Sequence, residues 1–174
     1  MMFRQIAERL TQHRRIEITA PSLKKAAVLV PLYRNRDQGL STVFIQRTEN
    51  LTHHRGQISF PGGAMQAEDQ DLEATALRET DEEIGLHPRD VQLLGRLDDV
   101  QTGTSQFLIT PIVGAVPQVY RFLRNPIEVS NIITVPLCDL NARQGDEGQE
   151  YWIGPTRVWG ATARILSQLL TLQE

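Results

Sequence analysis

The sequence has few of the features that mark secreted, membrane-spanning or nucleic-acid-binding proteins. It contains a single cysteine, Cys138, so no disulfide can form within the chain, which fits a reducing compartment. No run approaches the ~20 apolar residues that a bilayer-spanning helix needs, and residues 1–15 lack the apolar stretch of a signal peptide. The net charge of −3 argues against a dedicated nucleic-acid-binding protein, which usually carries a basic stripe. We therefore expect a cytoplasmic protein without membrane or nucleic-acid partners.

The size and composition of the chain indicate one compact unit. It has 174 residues, of which 40% are hydrophobic and 22% charged, as is usual for a globular protein. No internal repeat, low-complexity run or linker interrupts it. We expect a single domain over residues 1–174, with a helical lead-in over residues 1–22. The apolar neighbours of Cys138 predict that its side chain is packed inside.

Apolar periodicity predicts a mixture of strands and helices. Strands are expected at 26–32, 42–46, 58–60, 91–97, 108–116, 132–135 and 151–153, the last of these as the final strand. Helices are expected at 3–12, 71–83 and 159–170, with Asp71 as the N-cap of the second and Gly85 as its C-terminal stop. The strands do not alternate strictly with helices, so the pattern favours an α+β sandwich.

The second predicted helix carries the most informative residues. At roughly 100° per residue, Glu79, Glu82 and Glu83 fall on one side of it, while Leu77 and Ile84 lie opposite. Like charges at this spacing repel each other. A hard cation with oxygen ligands would remove that repulsion. A solvated acidic face is the alternative for such a helix taken alone, but here a glycine turn, Gly62-Gly63, precedes it.

The glycine turn and the acidic helix together resemble the Nudix box. That pattern is Gly-x5-Glu-x7-Arg-Glu-U-x-Glu-Glu-x-Gly-U, where U is aliphatic, and this chain reads Gly63 followed by Arg-Glu-Thr-Asp-Glu-Glu-Ile-Gly-Leu over residues 78–86. The resemblance implies a Nudix-type α/β/α sandwich with a mixed β-sheet between helices. It also implies hydrolysis of a nucleoside diphosphate derivative with Mg²⁺ or Mn²⁺.

The chain departs from the box in two ways. The segment from Gly63 to Arg78 is one residue longer than the general pattern, and the mid-box glutamate is absent. Asp69 lies at the expected distance from Gly63, and Asp71 is the alternative. Thr80 occupies a position that is usually aliphatic.

The segment before the box resembles the coenzyme A pyrophosphatase branch of the family. The matching residues are Arg47-Thr48, Leu51, His54, Gly56-Gln57 and the run Phe-Pro-Gly-Gly over residues 60–63. Further similarity extends the resemblance over roughly residues 26–170, while residues 136–158 look short for this branch. The resemblance implies cleavage of coenzyme A or its derivatives into 3′,5′-ADP and 4′-phosphopantetheine.

The chemistry assigns roles to these residues. Glu79 and Glu83 stand one helical turn apart and can hold the same ion, with Glu82 beside them, a carbonyl of Gly63 and the loop acid Asp69 as further ligands. Arg78 is expected to hold a carboxylate in place through its planar fork. Glu128, which precedes a strand and resembles a recurrent glutamate of the coenzyme A branch, is the candidate general base; ordering the strand entry is the other role open to it, and Glu82 is the alternative base within the box. Asp98 and Asp99 are expected to have hydrogen-bonding or turn roles, although they could line the same cleft.

The residues around the glycine turn are candidates for substrate binding. Arg47, His54 and Arg55, with His53 beside them, could meet the 3′-phosphate of coenzyme A, and Gly62 would border the substrate; solvated loop charges are the alternative. A second possibility keeps the chemistry but takes ADP-ribose or another nucleoside diphosphate derivative. A third is a Nudix-fold module that binds a nucleotide without cleaving it. Small-molecule substrates and a possible homodimer complete the expected partners.

Overall fold

A computed structural model describes residues 2–37, 39–49, 56–103, 106–145 and 148–172. Within these ranges lie three α-helices, eleven strands and two short 3₁₀ turns, at Pro88–Asp90 and Leu137–Asp139. The helices are α1 Met2–Gln12, α2 Leu72–Ile84 and α3 Gly160–Thr171. The strands are β1 Lys24–Arg34, β2 Leu40–Arg47, β3 Ile58–Ser59, β4 Gly62–Ala64, β5 Gln92–Arg96, β6 Val100–Gln101, β7 Phe107–Ala115, β8 Val129–Pro136, β9 Asn141–Gly145, β10 Gly148–Ile153 and β11 Thr156–Val158.

Strand β1 is the centre of a mixed eight-stranded sheet. It pairs in parallel with β7 along nine residues and antiparallel with β2 at its C-terminal end. The first part of β1 pairs instead with β4, while β3 pairs with β2. The short β3–β4 segment therefore lies between two strands that have diverged. Gly62 and Gly63, expected in a turn, lie instead in β4 and follow a bend at Pro61; this glycine turn, residues 61–63, lies beside the middle of the sheet.

Helices cover both faces of the large sheet. Side chains alternate along β1, so that Ala27 and Leu29 face α2, while Val30 and Leu32 face α1 and α3. Each face has its own buried apolar cluster, and Phe44 of β2 belongs to the cluster under α1 and α3. The predicted α+β sandwich, with a mixed sheet between helices, is confirmed.

Strands β9, β10 and β11 form a second, antiparallel sheet in the order β11-β10-β9. The expectation that residues 151–153 are the last strand is wrong, because β11 follows and pairs with β10. The expectation for Cys138 is also wrong: its side chain is exposed. It lies in a 3₁₀ turn in which the preceding Leu137 takes the buried position.

The lead-in is helical only as far as Gln12. The residues that follow are tied to the turn after β5 by two aspartates. Asp98 accepts hydrogen bonds from His13 and from the Ile16 backbone N–H, both at 2.8 Å. Asp99 accepts hydrogen bonds from Arg15 and from the backbone N–H of Ile18. Both aspartates therefore have the hydrogen-bonding role that was expected.

None of the helices in the described ranges has the length and apolar character to cross a bilayer.

Candidate active site

The acidic helix α2 begins and ends where its sequence predicts. Asp71 is the N-cap, and its side chain accepts a hydrogen bond from the backbone N–H of Ala74 at 2.8 Å. Gly85 ends the helix in the left-handed conformation, at φ 65°, which glycine adopts at little cost. The hydroxyl of buried Thr80 donates to the carbonyl of Ala76 at 2.6 Å, so a polar residue is tolerated at this packing position.

The glycine turn lies directly against this helix. Gly63 pairs with Ala27 of β1, and an ideal Cβ placed on Gly63 would lie 2.5 Å from the carboxylate carbon of Glu79. The backbone N–H of Gly62 donates to Glu83 Oε2 at 2.9 Å. A side chain at position 63 would therefore displace Glu79, and the turn places two carboxylates of α2 at its backbone.

Glu83 is the most deeply buried acid of the cluster, with 1% of its side chain exposed. Desolvation raises its pKa from 4.5 to about 8, and the charges of Glu79 and Glu128 add to this shift. The Gly62 N–H and the charge of Arg47, whose Nη1 lies 3.7 Å from Glu83 Oε1, act in the opposite direction. Glu83 thus occupies a site that is short of positive charge.

Glu79 and Glu128 complete the acidic cluster. Burial is the main cause of the raised pKa of Glu79; a hydrogen bond from Arg78 opposes it, and the charges of Glu82 and Glu128 add to it. Glu128 immediately precedes β8 and is half-buried. Its backbone carbonyl accepts from the Thr48 N–H at 2.9 Å, which holds it beside the end of β2. Residues 47, 62–63, 79, 83 and 128 thus surround one region, although they are distant in sequence.

Arg78 and Asp69 form a bidentate ion pair at the edge of this cluster. Arg78 Nε and Nη2 donate to the two oxygens of Asp69 at 2.8 and 2.9 Å. Asp69 also accepts from the backbone N–H of Gln66 and the hydroxyl of Thr75, and the bond to Arg78 is the main reason that its pKa lies far below the usual range. Both oxygens of Asp69 are occupied, which favours a positioning role over the predicted role as metal ligand.

Arg78 in turn orients two glutamates. Its Nη1 donates to Glu79 at 2.8 Å and to Glu82 at 3.3 Å, as was expected of a residue that holds carboxylates in place. Glu82 is 52% exposed and lies at the solvent side of the cluster. The alternative loop acid Asp71 is occupied as the helix cap. The predicted substrate-binding residues His54 and Arg55, and His53, lie outside the described residues.

Comparison with known proteins agrees with this arrangement. The sequence profile of the NUDIX domain matches residues 23–166. The chain belongs to the Nudix family. A relative named Uncharacterized Nudix hydrolase NudL, from Citrobacter koseri, is 35% identical over 158 residues, which cover 84% of this chain and 81% of the relative. The prediction of a Nudix hydrolase is thereby confirmed.

Solved structures support the Nudix fold. A MutT/nudix family protein from Enterococcus faecalis superposes with a TM-score of 0.63 at 14% identity, covering 92% of this chain and 65% of that one. The NUDIX domain of Shewanella oneidensis NrtR, solved as a complex with ADP ribose, gives a TM-score of 0.60 at 17% identity and covers 90% of this chain and 91% of that one.

The donor set of this Nudix site fits a divalent cation. Its side-chain donors are carboxylate oxygens, the ligands that Mg²⁺ and Mn²⁺ prefer. Two of them, Glu79 and Glu83, have raised pKa values, which a bound cation would lower again. Among the described residues, no three acids, histidines or cysteines already enclose a metal position. Glu79 instead bonds Arg78, and Glu83 bonds the Gly62 N–H, so these side chains would exchange partners on binding.

Sequence reasoning found the glutamates of the box but missed two partnerships. The spacing that matched Asp69 to the mid-box glutamate carried no sign that its partner is Arg78. The ion pair between Arg47 and Glu83 links β2 to α2 across 36 positions. No local sequence pattern predicts such a contact, although the motif before the box had identified Arg47 as a candidate for substrate binding.

Proposed function

We propose that this Nudix hydrolase is a Mg²⁺- or Mn²⁺-dependent pyrophosphohydrolase that cleaves the diphosphate of coenzyme A or its derivatives into 3′,5′-ADP and 4′-phosphopantetheine. The observation that carries the chemistry is the convergence of Glu79, Glu83 and Glu128 with Arg47 at the glycine turn. A diphosphate brings further negative charge to three carboxylates, so the reaction needs a cation there.

Different residues of the site would bind the cation, position the carboxylates and accept the proton. Glu79 and Glu83, with Glu82 and the carbonyl of Gly63, would hold the cation, which would offset the charge that develops on the phosphoryl oxygens and favour ionisation of water. Arg78, fixed by Asp69, keeps Glu79 and Glu82 oriented. The charge of Glu128 acts on both Glu79 and Glu83, and its Oε1 accepts a hydrogen bond from Asn125 at 3.3 Å. This proximity supports Glu128 as the general base that accepts a proton from water.

The choice of coenzyme A rests on the segment that precedes the box. The described ends of this segment meet, because the N–H of Arg47 donates to the carbonyl of Gln57 at 3.0 Å. The segment thus leaves and rejoins the sheet beside Glu83. The described ends of the motif, Arg47-Thr48 and Gly56-Gln57, therefore border the acidic cluster, which supports a role of this motif next to the diphosphate.

The first test is product chromatography of coenzyme A, dephospho-coenzyme A and ADP-ribose, each incubated with the protein and Mg²⁺ or Mn²⁺. We expect metal-dependent release of 3′,5′-ADP from coenzyme A and weaker cleavage of dephospho-coenzyme A. Glu83→Gln should lower the rate by about 100-fold or more. Glu73 lies on the same helix as Glu83 but pairs with Arg96 of β5, so Glu73→Gln is the matched control and should retain the rate.

Two results would contradict the proposal. Cleavage of ADP-ribose alone would keep the Nudix chemistry and reject coenzyme A as the substrate. Binding of these nucleotides without cleavage, by folded and metal-loaded protein, would favour a binding module.

A further inference from the structure

The backbone around Arg47 is fixed from both sides. Arg47 is the last residue of β2 and lies at an irregularity in the pairing with β8. Its N–H donates to the Gln57 carbonyl at 3.0 Å, and its own carbonyl accepts from the Ser130 hydroxyl at 3.3 Å. The next residue, Thr48, bonds the carbonyl of Glu128. Hydrogen bonds to Gln57 and to residues 128–130 thus fix the backbone position from which the Arg47 side chain extends.

The Arg47 side chain has hydrogen-bonding capacity that the described part of the chain does not use. Its Nε is buried and has no hydrogen-bond partner among the described residues. Its Nη1 lies 3.7 Å from Glu83 Oε1, which is too long for a hydrogen bond. A buried donor without an acceptor is unfavourable and calls for an explanation. Because 26% of the Arg47 side chain is exposed, an acceptor that arrives with the substrate can reach its guanidinium.

Arg78, the other arginine of the cluster, already uses its guanidinium donors within the protein. Its three guanidinium nitrogens donate to the side chains of Asp69, Glu79 and Glu82 and to the carbonyl of Ala64. It therefore has little capacity left for a ligand. The two arginines differ in role: Arg78 organises carboxylates, and Arg47 presents donors to the space beside Glu83.

We propose that Arg47 binds the diphosphate that is cleaved, rather than the 3′-phosphate of the adenosine. This inference rests on the proposed function, because it assigns a group of that substrate to a residue. Glu83 marks the region where the reacting phosphorus lies, and Arg47 is 3.7 Å from it. The 3′-phosphate is attached to the far side of a ribose, so an arginine fixed beside Glu83 meets the diphosphate first. A guanidinium matches phosphate oxygens through paired charge-assisted hydrogen bonds.

The first experiment compares coenzyme A with dephospho-coenzyme A, which lacks the 3′-phosphate. We expect Arg47→Met to lower kcat/KM about 10- to 100-fold for both substrates, so that their ratio stays at the wild-type value. Arg47→Lys keeps the charge opposite Glu83 but loses the planar fork, so its kcat/KM should lie between those of wild type and Arg47→Met. Arg96→Met removes one positive charge from the Glu73 pair and serves as the matched control. A loss confined to coenzyme A would overturn the proposal, since Arg47 would then read the 3′-phosphate.

The second experiment does not depend on turnover. Isothermal titration of Mg²⁺-saturated protein with methylenediphosphonate, a non-hydrolysable diphosphate, should show weaker binding by Arg47→Met and Arg47→Lys than by Arg96→Met. Thermal melts establish that each variant is folded. If folded Arg47→Met binds the probe as wild type does, Arg47 only balances the charge of Glu83 and the proposal is wrong. If wild type cleaves neither nucleotide but binds the probe through Arg47, the substrate assignment fails while this inference stands.

Discussion

Two neighbouring aspartates of this protein have unrelated tasks. Asp69, at the expected distance from Gly63, was the candidate for the missing glutamate, and Asp71 was the alternative. In the fold, Asp69 is nearly buried and bonds Arg78 through both oxygens, whereas Asp71 bonds the first turn of α2. The difference arises because a cap contacts the backbone three residues ahead, while Asp69 contacts a side chain nine residues ahead.

This division predicts opposite phenotypes for the two positions. Asp69→Asn loses the charge that fixes Arg78, so we expect kcat/KM to fall about 10- to 100-fold with the fold retained. Asp71→Ala removes the helix cap and should lower the free energy of unfolding by about 1 kcal/mol while leaving kcat/KM unchanged. Steady-state kinetics and urea melts of both variants measure these effects. Full activity of Asp69→Asn would show that Arg78 needs no partner.

Glu83 predicts how the stability of the metal-free protein depends on pH. Its carboxyl titrates near 4.5 when unfolded and near 8 when folded. Between these values the folded state binds the extra proton, so the free energy of unfolding decreases as pH rises from 4.5 to 8 and levels off above that. The decrease amounts to about a few kcal/mol.

Urea melts in EDTA between pH 5 and 8.5 measure this dependence. Glu83→Gln should show a shallower decrease than wild type, with a residual slope from Glu79, whose pKa is raised in the same direction. Glu73→Gln is the control for the loss of one carboxylate from α2. Parallel curves for wild type and Glu83→Gln would contradict the assignment.

At the scale of elements, helix α2 was predictable and three of the short strands were not. The cap Asp71, the stop Gly85 and the acidic spacing are local signals, and they gave the helix within a residue at each end. Strands β4, β6 and β11 have two or three residues each, too few for a periodicity of two to show. They exist because neighbouring strands offer unpaired backbone groups, which is a property of the assembled sheet.

The contact between β4 and α2 gives a prediction for Gly63→Ala. The added methyl group would lie 2.5 Å from the Glu79 carboxylate carbon, so Glu79 must move away from the site. We expect affinity for Mn²⁺, measured by titration calorimetry, to fall about 10- to 100-fold. Gly103→Ala is the matched control, because a methyl group there meets nothing within 4 Å. Equal affinities in the two variants would show that Glu79 does not depend on the glycine.

At the scale of the whole molecule, Asp99 joins the N-terminal segment to the sheet. It accepts hydrogen bonds from Arg15 at 2.6 Å, from the Ile18 N–H at 3.0 Å and from the Thr110 hydroxyl at 2.6 Å, with 6% of its side chain exposed. Through these contacts Asp99 ties residues 15–18 to strand β7. We therefore expect this segment to act on the stability of the fold rather than on the chemistry.

Asp99→Ala should lower the free energy of unfolding by about 2–4 kcal/mol, because it leaves three donors without their acceptor. Glu17→Gln is the control: Glu17 also bonds Arg15, but it is 73% exposed, and its loss should cost less than about 1 kcal/mol. Thermal melts measure both effects. The kcat of folded Asp99→Ala should equal that of wild type at low temperature, and a large loss of kcat would place Asp99 in the site.

The order in which the chain is synthesised gives the pairing of β2 with β8 a further consequence. The carboxylates of α2 leave the ribosome some 45 residues before Glu128, which arrives with the strand that closes the site. Until β8 pairs with β2, a nascent chain holds the whole Nudix box without a completed cluster. The sequence motif is therefore finished well before the acidic cluster, which is complete only when β8 has paired with β2 at the end of folding.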